Sequence, residues 1–396
     1  MKIITIISSA RLYEDRVRSI CGLDQNVTTS LILTKEIPDW DLPLQNTRFI
    51  TPDRPKHGLW FWLWAARTAK REMSQDGPEG DWIVIEHLMA VSVVFLRLLY
   101  RSRCTHLTFL ASCIFTYLWE RGWDRDQYAR PLHLKQKLMY YRFFGMNCLV
   151  LRLGLYFSNG VIANSPFTLE EVRRFTQIRK VYLWPNAVHS PSQELTCNPP
   201  RTAPATTTPV PEVILPCNMQ PAKGVALALE LFQRLSDQQH QCRLLLLGTA
   251  LPRDKSWFQQ LLEKYAGQSN IEFVGRVPFQ EMQHHYRQAK MVILPTFYEG
   301  SPRVIYEAAL YGCPIVASDL PGIRIIDPGE DFIGFFPAGD LESFHVQVTK
   351  LLEDDELRKR RSQKGKQIIQ DQFSPERGSE RLWSILSEVA SGEKIQ

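Results

Sequence analysis

Residues 291–318 read MVILPTFYEGSPRVIYEAALYGCPIVAS. MVILPT and PIVAS are short apolar runs of the length of buried strands, and the segment between them carries helix signals at both ends. Ser301 is placed as an N-cap, Pro302 suits the first helical position, and Gly312 is a natural C-cap. The unit is therefore β-α-β. The same alternation starts at residue 212, with strand EVILP, helix GVALALELFQRL, strand CRLLLLG, helix SWFQQLLEKYAG, strand IEFVG and helix FQEMQHHYRQA. Strict βα alternation predicts a doubly wound parallel sheet, whose ligand site lies outside the carboxyl ends of its strands.

Further towards the N-terminus the pattern is looser but of the same kind. KIITII (2–7), LILT (31–34), WIVIE (82–86), LTFLA (107–111) and GVIANS (160–165) are apolar runs separated by longer helix-like stretches, which predicts βαβ units on a second parallel sheet. Between the two patterns lies HSPSQELTCNPPRTAPATTTPVPE, whose six prolines exclude a helix or a central strand. The expected organisation is a domain at 1–188, a Pro/Thr-rich linker at 189–211, a second domain at 212–375 and an amphipathic helix at 376–396. That helix has no strand to cross to, so it is expected to pack back at the domain junction. A length of 396 residues with 44% apolar and 22% charged residues suits two such domains, with the cleft between them as the expected place for chemistry.

The net charge of +5 is unevenly placed: residues 1–200 carry 25 Lys+Arg against 18 Asp+Glu, and the remainder 22 against 24. Eight of the ten tryptophans also fall in the first half, so that half is expected to meet an anionic partner. The eight cysteines include no C-x-x-C pair, which argues against a zinc site or a disulfide framework and for a reducing, cytoplasmic location. The apolar run at the N-terminus is too short for a signal peptide, and Arg97 and Arg152 break the best candidate membrane spans. A pI near 8.7 without any nucleic-acid-binding signature disfavours nucleic acid as a partner.

The loop after MVILPT holds Glu299 and Gly300, and the helix that follows holds Glu307 eight residues on. Two carboxylates at this spacing can face one crevice. Backbone N–H groups of Gly300, Ser301 and Arg303 at the helix start add donors and positive dipole for an anion. Acidic acceptors beside an anion pocket suit a ligand with hydroxyls and phosphates, such as a nucleotide sugar.

The E-x7-E spacing within EGSPRVIYEAALYGCPIVASDLPG resembles the signature of the retaining glycosyltransferases of family four, the group 1 enzymes of GT-B fold that include glycogen synthase and mannosyltransferases. The likeness extends through IEFVGRVPFQEMQHHYRQAKMVILPT, LWPNAV, GVIANSPFTLEEV and FIGFFPAGDLESF. It is nearly continuous from about 158 to 375. The resemblance implies two Rossmann-like domains facing a cleft, with the acceptor on the first domain and the donor on the second. It implies that Glu299 meets hydroxyls of the donor sugar, that Glu307 accepts from the ribose, and that Lys223 in PAKG neutralises the diphosphate. Arg276 and Val277 would hold the base by backbone contact. Such enzymes need no metal or other cofactor, because cations and helix dipoles stabilise the leaving diphosphate. The donor expected is UDP- or GDP-linked.

Some positions depart from the pattern. Asn218 stands where the family has an arginine, so one charged clamp on the diphosphate is lost or supplied by Arg303 or Arg11. The usual glycine-rich loop after the first strand is replaced by SSARLYEDRV, in which Asp15, Arg16 and Val17 have no assignable role. His87, at the end of WIVIEH, is expected near the reacting sugar or the acceptor, whereas His106, His133, His284 and His285 read as surface or packing residues. HGLWFWLWAARTAKRE (57–72), with three alternate tryptophans and a basic flank, resembles a monotopic anchor on an anionic membrane, a face that the basic residues of 95–103 and 130–144 could also line.

The expectation is thus a metal-independent retaining hexosyltransferase acting on a glycan or lipid-linked acceptor, in cell-surface polysaccharide or glycoconjugate biosynthesis. It would be cytoplasmic, with peripheral contact at the inner face of the membrane. The alternatives are a nucleotide-sugar epimerase or a non-catalytic nucleotide- or glycan-binding protein of the same fold. A dinucleotide dehydrogenase is disfavoured, because no G-x-G-x-x-G follows a strand.

Overall fold

A computed structural model describes residues 1–8, 14–23, 26–37, 46–87, 90–111, 149–178, 180–188, 210–252 and 254–391. The chain divides into two compact units, one built on the N-terminal sheet together with the C-terminal helix, the other on the sheet that starts at residue 212.

The first unit holds strands β1 (Lys2–Ile6), β2 (Thr29–Leu33), β3 (Thr47–Ile50), β4 (Trp82–His87), β5 (Thr105–Leu110), β6 (Gly160–Ala163) and β7 (Val181–Leu183). They form one sheet in the order β3-β2-β1-β4-β5-β6-β7, every pair parallel. Its helices include α1 (Glu14–Cys21), α2 (Leu59–Gln75), α3 (Ser92–Leu98) and α4 (Pro166–Phe175). Alternate residues of β1 serve opposite faces, as the pleat requires. Ile3 packs with α1 and the C-terminal helix, while Ile4 and Ile6 pack with α2.

The C-terminal helix (Pro375–Ser391) buries Leu382, Ile385 and Leu386 in the same core as Val17 and Ile20 of α1. Gly378 permits the close approach: an added Cβ would lie 2.4 Å from Ser19 Oγ. Trp184 Nε1 donates to the Gly378 carbonyl at 2.9 Å, and Ser379 Oγ donates to the Ser19 carbonyl at 2.8 Å.

The second unit repeats the topology with β8 (Glu212–Pro216), β9 (Arg243–Leu247), β10 (Ile271–Gly275), β11 (Met291–Leu294), β12 (Ile315–Ser318) and β13 (Ile333–Phe336). The order β10-β9-β8-β11-β12-β13 is again wholly parallel. Helices α5 (Val225–Asp237), α6 (Lys255–Lys264), α7 (Phe279–Gln288), α8 (Arg303–Leu310), α9 (Leu341–Glu353) and α10 (Asp355–Gln372) complete it. Strand order reverses between β8 and β11 here, and between β1 and β4 in the first unit. These are the points where a doubly wound sheet opens for a ligand.

Several expectations are corrected by the fold. The helix at 57–72 does not present one apolar stripe outwards: Phe61 and Trp62 are buried in the core with Ala65, Ala66 and Ala69, while Trp60 remains 71% exposed. Arg97 is spent inside the unit, donating to the Ser102 and Cys104 carbonyls and to Asn159 Oδ1. Of the two readings given for His106, surface or packing, the second holds. This histidine is fully buried, with Nε2 3.2 Å from Glu86 Oε2. Segment 130–144, with His133, and most of the linker lie outside the described residues. Among the described residues no helix is long and apolar enough to cross a membrane.

Glu86 organises the turn that follows β4. Its carboxylate accepts from Val91 N at 2.5 Å, Ser92 N at 3.0 Å and Val93 N at 3.2 Å, and also from the Ser92 hydroxyl, so it caps the start of α3 from within the core. Glu86→Ala would leave these buried donors without an acceptor. We expect a loss of about 3 kcal/mol or more, read as a lower denaturant midpoint, with Glu86→Gln losing less because it retains one accepting oxygen.

Candidate active site

The site of the second unit is built where the chain leaves β8. After Pro216, Cys217 and Asn218, a single helical turn at Pro221–Lys223 leads into Gly224, which has φ +66° and opens α5. A Cβ on Gly224 would lie 1.8 Å from the Pro295 carbonyl oxygen, so only glycine lets this turn press against the end of β11. The Ala222 carbonyl accepts from Phe297 N at 2.9 Å and from Thr296 Oγ1 at 3.0 Å, tying the two loops together. Gly322 supports them from the β12 side, where an added Cβ would lie 2.2 Å from the Glu299 carbonyl oxygen. Lys223 and Glu299 are thereby brought into a direct ion pair between the two loops.

Around this pair is a cavity of about 650 Å³, within the range of small-ligand pockets. Asn218, Lys223, Arg276, Val277, Glu299, Ser301 and Arg303 all line it, at the carboxyl ends of the strands where β8 and β11 diverge. Three cations and one carboxylate give it a positive excess. Cys217 also lines it, a contact that its place in LPCN did not reveal. Burial pushes the Cys217 thiol up to about 12, with Glu299 reinforcing the rise and Lys223 opposing it, so the sulfur stays neutral.

Not every expected group reaches the cavity. Glu307 does not line it; Arg303 does, and Glu307 Oε1 lies 3.5 Å from Arg303 Nε. Glu307 Oε2 accepts from the Tyr286 hydroxyl at 3.0 Å, a partner that FQEMQHHYRQA gave no reason to single out. Gly300 is buried but is not among the lining residues. Ser301 is not the N-cap: Pro302, at φ −72° and ψ 120°, occupies that position without a side-chain cap, and the Ser301 hydroxyl bonds Tyr306 OH at 2.9 Å. At the other end Gly312 has φ +73°, the left-handed conformation expected just past a helix.

His87 belongs to the first unit and is fully buried at the end of β4, its ring centroid 4.7 Å from that of Phe109. The unassigned Arg16 accounts for its surroundings. The Arg16 guanidinium carbon lies 4.2 Å from the Trp184 ring centroid and 4.7 Å from that of Phe109, and Nη2 donates to Asn186 Oδ1 at 2.8 Å. Burial first, and the Arg16 charge second, lower His87 to about 3. Arg11 lies outside the described residues.

Residues 207–368 match the model of the family described as glycosyl transferases group 1, a match that falls on the second unit. Among curated proteins it is similar to O-antigen chain mannosyltransferase B of Escherichia coli, 24% identical over 140 residues, which cover 35% of this chain and 36% of that protein. It is also similar to glycogen synthase of Mycobacterium tuberculosis, 26% identical over 175 residues, covering 44% of this chain and 40% of the relative. These matches thus span well under half of the relatives' lengths. Among solved structures, sucrose-phosphate synthase from Thermosynechococcus elongatus has a TM-score of 0.72 at 15% identity, covering 99% of this chain and 100% of that one. Anabaena HepE in complex with UDP-glucose has a TM-score of 0.68 at 16% identity, covering 98% and 100%. The fold is GT-B, two Rossmann-like units with a C-terminal helix.

His87 supplies a pH test of this geometry. Its folded value of about 3 lies below the ordinary 6.5, so between those limits the unfolded chain binds more protons. The stabilisation is complete above about pH 6.5 and is lost as pH falls towards 3. His87→Phe should flatten the decline of stability between about pH 6 and 4 by up to about 1.4 kcal/mol per pH unit, measured by denaturant titration at each pH.

Proposed function

We propose that the chain transfers a hexosyl group from a nucleoside-diphosphate sugar to a glycan or lipid-linked acceptor, with retention at the anomeric carbon. The observation that carries this reading is the cavity at the β8/β11 divergence, lined by Lys223, Arg276 and Arg303 and by the carboxylate of Glu299, with Lys223 paired to Glu299. Cations held in a partly enclosed site act most strongly on charge that develops during reaction, as on a leaving diphosphate. Lys223 and Arg303 are assigned to that diphosphate. Asn218 contributes a hydrogen bond and no charge. Glu299 is assigned to the sugar hydroxyls, Glu307 to the ribose, and Arg276 and Val277 to the base through their backbone.

In the step proposed, the bond from anomeric carbon to phosphate oxygen breaks as the acceptor hydroxyl attacks from the same face. The acceptor proton passes to the departing phosphate oxygen, so neither a covalent enzyme intermediate nor a metal is required. A UDP- or GDP-linked donor is proposed, and the uridine form has the support of the HepE complex named above. The acceptor is assigned to the first unit, where His87, expected near it, is fully buried and offers it no surface. A role in cell-surface polysaccharide synthesis is favoured by the name of the mannosyltransferase relative.

A cytoplasmic location, with peripheral contact at the membrane, belongs to the same proposal. Its support on the surface is narrower than the whole 57–72 helix: Leu59 and Trp60 are 61% and 71% exposed. Flotation of the protein with anionic vesicles, weakening as salt is raised, is the expected outcome; no binding at low salt would remove this part of the proposal.

Two kinds of variant test the assignment. Lys223→Ala and Glu307→Ala should each abolish transfer, and full activity in either would sink it. Glu299→Gln should act in opposite directions on two measurements. Removing the carboxylate releases Lys223 from its ion pair, so affinity for the nucleoside diphosphate rises several-fold while transfer falls by about 100-fold or more. A thermal-shift screen of UDP, GDP and ADP identifies the base, because a ligand that binds only the folded state raises its stability.

A further inference from the structure

A buried hydroxyl is aimed at the carboxylate assigned above to the ribose. Tyr286 on α7 is 2% exposed, and its ring stacks on Tyr311 with centroids 6.0 Å apart and planes 11° apart. Tyr311 occupies the C-cap of α8, the helix that carries Glu307, and the guanidinium carbon of Arg287 lies 5.3 Å from the Tyr311 ring centroid. Helix α7 thus meets α8 at its last turn through two consecutive side chains.

The Tyr286 hydroxyl donates to Glu307 Oε2 at 3.0 Å. A buried phenol must find an acceptor or carry a desolvation penalty, and a carboxylate is the strongest acceptor available. Burial and the neighbouring carboxylate hold this phenol well above its ordinary range, so it remains a donor at any working pH. With Oε2 engaged by the phenol, the orientation of the Glu307 carboxylate is restrained. Oε1 faces Arg303 at 3.5 Å, and Arg303 lines the cavity.

We propose that Tyr286 is a positioning residue for nucleotide binding: its hydroxyl fixes the Glu307 carboxylate so that Oε1 accepts a ribose hydroxyl. The inference rests on the assignment of Glu307 under the proposed function. If Tyr286 served packing alone, phenylalanine would replace it without effect on the nucleotide, because the stack on Tyr311 needs only the ring.

The experiment compares the natural chain, Tyr286→Phe and Glu307→Ala by calorimetric titration with UDP and GDP, then with the 2′,3′-dideoxy form of whichever binds. In Tyr286→Phe the ribonucleotide should bind about tenfold more weakly and the dideoxy form within about twofold of its natural affinity. The donor KM should rise in the same ratio while kcat stays within about twofold. Equal weakening of both nucleotides, or no weakening, would overturn the inference. Should Tyr286→Phe fail to fold, 3-fluorotyrosine placed at position 286 gives a second readout. Its fluorine resonance should move on adding the ribonucleotide and stay in place with the dideoxy form, and an equal movement with both would overturn the inference. Failure of the underlying reading looks different: in that case Glu307→Ala keeps the natural preference for the ribonucleotide, or neither nucleotide binds the natural chain at all.

Discussion

The turn at Pro221–Lys223 meets the end of β11 so closely that no side chain fits between Gly224 and the Pro295 carbonyl. That contact sets the geometry of the second unit's ligand end. The Ala222 carbonyl, taken by Phe297 N and Thr296 Oγ1, ties the loops after β8 and β11 to each other. Lys223 is then held against Glu299 although 76 residues of chain separate them. Their ion pair contributes little to stability by itself, since Lys223 is partly open to solvent. Its consequence is electrostatic. Under the proposed function, a lysine already satisfied by a carboxylate meets an incoming diphosphate with a competitor in place, and the same displacement would free Glu299 for the sugar. One pair can in this way couple recognition of two parts of a single ligand.

The parallel core was legible in the sequence because a strand covered on both faces reads as an unbroken apolar run. EVILP, CRLLLLG, MVILPT and PIVAS are of this kind, and they became β8, β9, β11 and β12. The strands that escaped notice, β3, β7 and β13, lie at sheet edges and have only three or four residues. TRFI alternates with polar residues, VYL is too short to show a period, and IGFF contains a glycine that weakens the strand signal. Helix starts were less legible. Ser301 has the chemistry of an N-cap, but its hydroxyl found Tyr306, and the backbone of Pro302 ends the extended segment instead.

The site was legible where it depends on chain neighbours and illegible where it depends on tertiary approach. Glu299, Ser301 and Arg303 lie together in one loop and helix start, so spacing alone brings them to the cavity. Tyr286 reaches Glu307 only because α7 packs on α8, and nothing within FQEMQHHYRQA distinguishes that tyrosine from an ordinary core aromatic. The alternate tryptophans at 60, 62 and 64 show the converse error. Alternation is a strand period, and on a helix it scatters three rings around the axis. Phe61 and Trp62 therefore turn inwards while Trp60 turns out.

Two sheets that share the strand order 3-2-1-4-5-6, with a seventh strand added at the edge of the first, end differently at their points of divergence. In the second unit the divergence carries a cavity lined by cations. In the first, the end of β4 is packed: His87 is fully buried against Phe109, which meets Trp184 edge-to-face, and the Arg16 guanidinium lies against both of these rings. A cation against aromatic rings is stabilised by their quadrupoles and disfavours a second positive charge nearby. Burial first, and this charge second, keep His87 neutral at neutral pH. The positive charge of the N-terminal half thus does not extend to this histidine. Under the proposed function the diphosphate falls to the other unit, whose loops converge on Lys223.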